Sequence, residues 1–201
     1  MNFIFLSPNF PKTYHHFTAA LKRNGVTTLG IGDEPYDHLS QECKDSLVEY
    51  YKVNSLENYD EVYRACAFFA FKYGKIDWLE SNNEYWLERD AMLRTDFHIT
   101  SGFQEEDMIR TRYKSGMKAY YAKAGIPTAR YHLVKDIESA KEFANKVGYP
   151  VVVKPDNGVG ASSPYRLSCE DDLRFFMDHK DDTVYVDWIV DCRQDYRWLL
   201  K

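Results

Sequence analysis

One lysine at the end of an apolar stretch is the residue of this sequence best suited to chemistry. Lys154 follows three consecutive valines, and Gly158 and Gly160 come shortly after it. Because β-branched residues favour a buried strand, the sequence predicts that Lys154 emerges at a strand end. Glycines let backbone N–H groups approach an anion, and the ammonium supplies a positive charge. The segment is therefore typical of phosphate binding, with Ser162 and Ser163 as additional hydroxyl donors.

A surface hairpin is an alternative interpretation of the same segment. Asp156, Asn157 and Gly158 would form a tight turn between two apolar stretches, and Lys154 would extend into water. The strict P-loop and dinucleotide-binding patterns are both absent. The residues alone leave both interpretations open.

Two further lysines lie on a predicted helix earlier in the chain. Lys114 and Lys118 are one turn apart on the same face, and a Gly-Ile-Pro turn at residues 125–127 follows about three turns later. Taken alone, these lysines are typical of solvated surface charges.

The surrounding pattern predicts the elements that position these side chains. Residues 2–32 read as strand, helix and strand, followed by a strand at 48–53, a helix at 58–73 and a strand at 76–79. Strands that alternate with helices predict a parallel sheet with right-handed crossovers. The first strand-to-helix turn contains no glycine, so we do not expect a nucleotide there.

The second half of the chain has a different pattern. We predict helices at 84–95 and 107–124, and a domain boundary near residues 102–105, which gives domains 1–104 and 105–201. The elements predicted beyond these are a strand at 129–134, a helix at 136–147, the lysine strand at 149–153, a strand at 165–167, a helix at 170–179 and a strand at 183–190.

Composition narrows the class of protein and of partner. The 201 residues are 44% hydrophobic and 16% aromatic, which is typical of a globular protein. The net charge of −5 and the absence of a dense basic block argue against a nucleic-acid partner, and no apolar stretch is long enough for a membrane. Four scattered cysteines without metal-ligand spacing predict no metal centre and favour a reducing cytoplasm.

The order of these features resembles the ATP-grasp superfamily. A helix lysine, a Gly-Ile-Pro turn, a valine strand that ends in lysine and a glycine loop follow one another as in that family's N-terminal lobe. Residues 1–104, with their segments 81–84 and 86–94, are similar to the preATP-grasp domain of carbamoyl-phosphate synthase large chains and biotin carboxylases. The implied fold class is α/β, with a Rossmann-like parallel-sheet domain followed by a small α+β lobe.

The resemblance also implies contacts between nine residues and ATP. Lys114 would contact the phosphates, and Lys154 would neutralise α- and β-phosphate charge. The remaining seven would form a loop that closes over the triphosphate (Gly158, Gly160, Ala161 and Ser162) and a hinge that pairs with the adenine edge (Asp187, Trp188 and Ile189).

The implied reaction is the ATP-dependent activation of a small carboxylate as an acyl phosphate, which an amine or similar nucleophile then attacks. The family uses Mg²⁺, but its magnesium ligands lie in a second lobe that would follow Lys201. We therefore expect this chain to be the front part of a longer ATP-grasp protein, which leaves its own activity as an enzyme open. The hinge departs from the family pattern, because Asp187 stands where glutamate is usual and Asp191 where glycine often follows.

A non-catalytic nucleotide-binding or interaction module is the alternative function. Sixteen tyrosines could line a partner surface, including that of a homodimer. A Rossmann-type dehydrogenase is disfavoured because no glycine fingerprint follows the first strand. We interpret His15, His16, Asp33 and Glu34 as surface or turn residues and not as ligands.

Overall fold

The computed structural model describes residues 1–157 and 164–179 and, for its backbone, the strand Asp187–Asp191. The chain divides into two compact units, Met1–Met108 and Ile109–Lys201. Each unit is built on its own four-stranded sheet. Among the described residues, no helix combines the length and the apolar character that crossing a membrane requires.

The first unit contains a parallel sheet in the order β3-β2-β1-β4. Its strands are β1 (Asn2–Leu6), β2 (Thr27–Gly32), β3 (Glu49–Lys52) and β4 (Trp78–Glu80). Ile4 of β1 pairs with Leu29 and Leu79 on its two neighbours, and all three are fully buried. Continuous apolar sequence suits such central strands because helices cover both faces of a parallel sheet. The predicted α/β fold class is confirmed.

The helices of this unit begin and end at residues with clear local causes. They are α1 (His15–Arg23), α2 (Gln41–Ser46), α3 (Tyr59–Tyr73) and α4 (Leu87–Asp96). The Asn58 side chain accepts a hydrogen bond from the backbone N–H of Glu61, and Gly74 ends α3 with a positive φ of 83°. Helix α2 is absent from the sequence prediction because it is short and polar. Its one local signal is Ser40, whose hydroxyl caps the N–H of Cys43.

The second unit contains an antiparallel sheet in the order β5-β8-β6-β7. Its strands are β5 (Tyr131–Leu133), β6 (Val151–Pro155), β7 (Tyr165–Leu167) and β8 (Asp187–Asp191). Its helices are α6 (Lys114–Lys123), α7 (Ile137–Val147) and α8 (Glu170–His179), and the short α5 (Met108–Thr111) spans the division between the units. Val151 and Val153 of β6 pack with Ala140 of α7 and Leu173 of α8 in a buried core.

The continuous helix predicted for residues 107–124 is wrong. Helix α5 ends at Thr111 and α6 begins at Lys114, because Tyr113 between them adopts an extended conformation with φ −89° and ψ 122°. The backbone N–H of Lys114 donates to the carbonyl oxygen of Asp156, 3.1 Å away, and not to a preceding turn of helix. A contact with a distant strand end thus replaces the helical hydrogen bond, which no local pattern reveals.

A buried polar cluster follows β4 in the first unit. Asp90 is fully buried, and its Oδ2 accepts hydrogen bonds from the backbone N–H and the hydroxyl of Ser81, at 3.0 and 2.6 Å. The Arg94 guanidinium donates to Glu80 at 2.7 Å and to the carbonyl of Leu79 at 2.8 Å. Burial raises the pKa of Asp90 well above its usual range, the Ser81 hydroxyl opposes the rise, and the neighbouring Glu80 carboxylate adds to it. Asp90 is therefore protonated over part of the pH range in which the unfolded chain has released that proton.

We expect Asp90→Asn to change how stability depends on pH. Because the pKa is raised by folding, the wild-type free energy of unfolding should fall as pH rises from about 3.9 towards the folded pKa, by up to about 1.4 kcal/mol per pH unit. Asparagine resembles the neutral carboxyl and cannot release a proton, so this fall in the free energy of unfolding should be absent from the variant. Urea unfolding across mildly acidic and neutral pH measures the difference. Asp37→Asn, at an exposed position, is the control, and parallel curves for wild type and Asp90→Asn would contradict the expectation.

Candidate functional site

Asp156 joins the end of strand β6 to the start of helix α6. Its carboxylate accepts hydrogen bonds from the backbone N–H and the hydroxyl of Ser115, at 2.8 and 2.6 Å. Asp156 is 7% exposed, so these bonds form largely out of water. The first N–H groups of a helix lack partners within the helix, so the Asp156 carboxylate caps α6. Its negative charge also interacts favourably with the positive end of the helix dipole.

This cap brings the two predicted phosphate-binding lysines to the same end of β6. Lys114 is the first residue of α6, and its ammonium donates to the carbonyl oxygen of Asp156 at 3.2 Å. Lys154 is half-buried and precedes Asp156 by two residues on the chain. Both positively charged residues therefore lie near one strand end, as a phosphate site requires. Their contact with a nucleotide stays a prediction.

The predicted hinge lies beside the lysine strand. β8 pairs antiparallel with β6, and the register places Trp188 opposite Lys154, Asp187 opposite Pro155 and Ile189 opposite Val153. The backbone of the hinge is thus adjacent to the backbone that carries Lys154. The predicted loop residues Gly158, Gly160, Ala161 and Ser162 lie outside the described residues.

The register of the sheet contradicts the alternative of a hairpin that a two-residue turn closes shortly after Lys154. Strands β6 and β7 do pair antiparallel, but Val153 lies opposite Tyr165, so a much longer connection joins them. Asp156 caps α6 instead of closing a hairpin. The segment after Lys154 therefore has the length of a loop and not of a two-residue turn.

The prediction that Lys118 is a solvated surface charge is wrong. The residue is 8% exposed, and its ammonium donates to the carbonyl of Ala129 at 2.6 Å. It also lies 5.1 Å from the centre of the Tyr131 ring, which suits a cation–π contact. The long side chain reaches the chain segment before β5, so Lys118 contacts that segment although it shares a helix with Lys114.

The sequence analysis missed, wholly or in part, the roles of three residues in this region. Asp156 was assigned to a turn, and Ser115 was given no role, because the two are far apart in the sequence. Gly116 had a usable signal, since glycine inside a predicted helix often marks a close backbone approach. A Cβ atom at this position would lie 1.9 Å from the carbonyl oxygen of Ile109, which excludes any side chain without rearrangement.

The described ranges 1–157 and 164–179 contain no group of three or more His, Cys, Asp or Glu side chains arranged to hold a metal ion. The charges of the site come instead from Lys114, Lys154 and the carboxylate of Asp156. Such an arrangement can bind an anion through ammonium groups. The backbones of Trp188 and Ile189 already pair with β5 on one side of β8 and with β6 on the other.

Comparison with known families finds a match within the second unit. Residues 113–174 match the family described as "Carbamoyl-phosphate synthase L chain, ATP binding domain". The match begins just before Lys114 and includes Lys154 and Asp156. The first unit lies outside it.

Two curated relatives agree with this match. The N-terminal section of the carbamoyl phosphate synthase large chain of Methanopyrus kandleri is 32% identical over 73 residues, which is 36% of this chain and 13% of that protein. An L-arginine-specific L-amino acid ligase of Bacillus subtilis is 31% identical over 94 residues, which is 47% of this chain and 22% of that protein. The chain thus spans less than a quarter of either relative.

A solved structure extends the likeness to the whole fold. The biotin carboxylase domain of Hydrogenobacter thermophilus 2-oxoglutarate carboxylase, crystallised with MgADP, ADP and bicarbonate, superposes with a TM-score of 0.73 at 21% identity. The superposition covers 94% of this chain and 43% of that one. Together with the sequence matches, it confirms the predicted resemblance to the ATP-grasp superfamily.

We expect Asp156→Ala to destabilise the second unit by about 2 kcal/mol, because it removes two hydrogen bonds from a buried carboxylate to Ser115. Ser115→Ala removes only the hydroxyl bond and should have a smaller effect. Asp136→Ala is the matched control, since Asp136 caps α7 through the N–H of Ser139 at an exposed position. Its expected loss is about 1 kcal/mol.

Urea unfolding measures the total effect, and hydrogen exchange of the α6 amides shows where it acts. Faster exchange should begin at the first turn of α6 in Asp156→Ala. An Asp156→Ala variant no less stable than Asp136→Ala would contradict the role given to the cap.

Proposed function

We propose that this chain forms the nucleotide-binding part of an ATP-grasp ligase, which activates a carboxylate as an acyl phosphate for attack by an amine. The observation that carries the proposal is the Asp156 cap, which brings Lys114 to the end of the strand that carries Lys154. The match of residues 113–174 to an ATP-binding domain supports it. The relatives act as whole proteins, of which this chain covers a fraction.

The residues present suit an adenine nucleotide. The ammonium groups of Lys114 and Lys154 would bind phosphate oxygens as point charges, and the loop at residues 158–162 would add backbone donors. The adenine edge would lie at the start of β8, at Asp187, because Trp188 and Ile189 pair with strands on both sides. In this arrangement the chain would hold the triphosphate by charge and the base beside the start of β8.

The reaction follows from phosphoryl-transfer chemistry. A carboxylate oxygen of the substrate attacks the γ-phosphorus, and the bond to the bridging oxygen of ADP breaks. An amine then attacks the acyl carbon, loses a proton and displaces inorganic phosphate. Lys154 would offset charge on the phosphates during the first step. Mg²⁺ would add charge stabilisation when bound with the nucleotide, and we assign none of the described residues as its ligand.

The known proteins support the substrate class. The Hydrogenobacter thermophilus domain was crystallised with bicarbonate as well as MgADP. The Bacillus subtilis relative is an amino acid ligase. We therefore propose a small carboxylic acid as the acyl donor and an amine as the acceptor.

Nucleotide binding is tested by thermal and chemical unfolding with MgATP. At a concentration one hundred times the dissociation constant, ATP should stabilise the wild-type chain by about 2.7 kcal/mol. Lys154→Ala should weaken binding at least tenfold, which removes about 1.4 kcal/mol of that stabilisation, and Lys114→Ala should act in the same direction. Lys135→Ala, at an exposed position of the same unit, is the matched control.

Two results would count against the proposal. Stabilisation by ATP that is the same in Lys154→Ala as in Lys135→Ala would exclude Lys154 from the site. No stabilisation of the wild-type chain by MgATP would exclude nucleotide binding and favour the interaction-module alternative.

A further inference from the structure

A cavity of about 410 Å³ lies beyond the carboxyl ends of β1 and β2 in the first unit. Asn9 and Lys12 follow β1 and line one side, whereas Glu34 and His38 follow β2 and line the other. In open α/β sheets, ligands bind in crevices at this edge, where loops and helix starts converge. The position of the cavity alone therefore makes it a candidate binding site.

The side that follows β1 offers one positive charge and one hydrogen-bond acceptor. Lys12 is exposed and forms no ion pair with any residue that the structure describes. The Oδ1 atom of Asn9 is buried and accepts no hydrogen bond from the described residues. Because a buried carbonyl oxygen without a donor is unfavourable, a donor from a ligand would stabilise this side of the cavity.

The side that follows β2 contributes a carboxylate, that of Glu34. The Nδ1 atom of His38 lies 2.8 Å from Oε1 of Glu34, one helical turn earlier in the chain. The hydroxyl of Tyr50 donates to the backbone carbonyl of Glu34 at 2.8 Å, which fixes the backbone of this loop. The Glu34 carboxylate thus lies at the cavity beside His38 and has a second oxygen for a ligand.

The remaining surface of the cavity is neutral. Cys43 is 2% exposed, and burial raises the pKa of its thiol to about 11, so the sulfur carries no charge at neutral pH. Phe10 and Leu39 add apolar surface. The charged groups at the cavity are therefore one ammonium and one carboxylate, with the His38 imidazole beside the carboxylate.

We infer that this cavity binds a small molecule that carries both a carboxylate and a protonated amine, such as a free amino acid. The carboxylate of the ligand would pair with Lys12, and its ammonium would donate to Asn9 and Glu34. A phosphate group fits less well, because it would face the Glu34 carboxylate and leave the Asn9 oxygen without a donor. All of these residues belong to the first unit, so the inference goes beyond nucleotide binding and does not depend on it.

The test measures binding by isothermal titration calorimetry. The whole chain, without nucleotide, is titrated with each proteinogenic L-amino acid in turn. For the amino acid that binds best, the matching acid without its amine and the matching amine without its carboxylate are titrated next. Each should bind at least tenfold more weakly, because each lacks one charge-assisted hydrogen bond. Inorganic phosphate is titrated as the competing anion.

Variants test whether the named side chains bind the amino acid. Lys12→Ala should weaken amino acid binding about tenfold, and Asn9→Leu should do the same, whereas Asn9→Asp keeps an acceptor and should retain binding. Lys75→Ala is the matched control, because Lys75 is also exposed but precedes β4, at the opposite edge of the sheet. Circular dichroism melting of each variant shows that it is folded.

Three outcomes would overturn the inference. They are no binding of any amino acid, tighter binding of inorganic phosphate than of every amino acid, and equal effects of Lys12→Ala and Lys75→Ala. None of them bears on nucleotide binding, which is measured separately through Lys154→Ala. The two proposals can therefore fail independently.

Discussion

The second unit depends on a carboxylate that caps a helix from outside that helix. Asp156 follows the lysine strand and holds the first turn of α6 through Ser115, so two elements far apart in the sequence meet at one point. Hydrogen bonds to a buried carboxylate are strong, and an unpaired one would be costly, which makes this contact specific as well as stabilising. Gly116 complements it by allowing the backbone at Ile109 to approach the same helix. The position of Lys114 at the end of the lysine strand follows from these contacts.

Local patterns were sufficient to predict most elements of the fold. Apolar stretches identified β1, β2 and β6, and Asn58 and Gly74 marked the limits of α3, because caps and strand patterns are encoded in neighbouring residues. Long-range contacts were not predictable in this way. The break between α5 and α6, the burial of Lys118 and the Asp156 cap all depend on partners more than ten residues away. No periodicity links such residues, and for Lys118 the local pattern favoured the wrong environment.

Positively charged residues stand at both candidate sites, although the net charge of the protein is negative. A chain of net charge −5 repels anions on average, yet Lys114 and Lys154 lie near one strand end, and Lys12 stands at a cavity of the other unit. Screening limits the influence of distant charges to roughly 8 Å at physiological salt, so local groups decide which ligand binds. Phosphate chemistry suits the second unit because ammonium groups and a helix start meet there, whereas the first unit pairs an ammonium with acceptors.

The order of strands in the second sheet has a consequence for synthesis on the ribosome. β8 is the last strand in the sequence, yet it lies between β5 and β6 and pairs with both. While the nascent chain ends before residue 187, β5 and β6 are therefore separated by the gap that β8 will fill. The lysine strand then pairs with β7 alone, and its other edge is open to unwanted partners. Insertion of the hinge strand during translation would at once close that edge and complete the surface opposite Lys154.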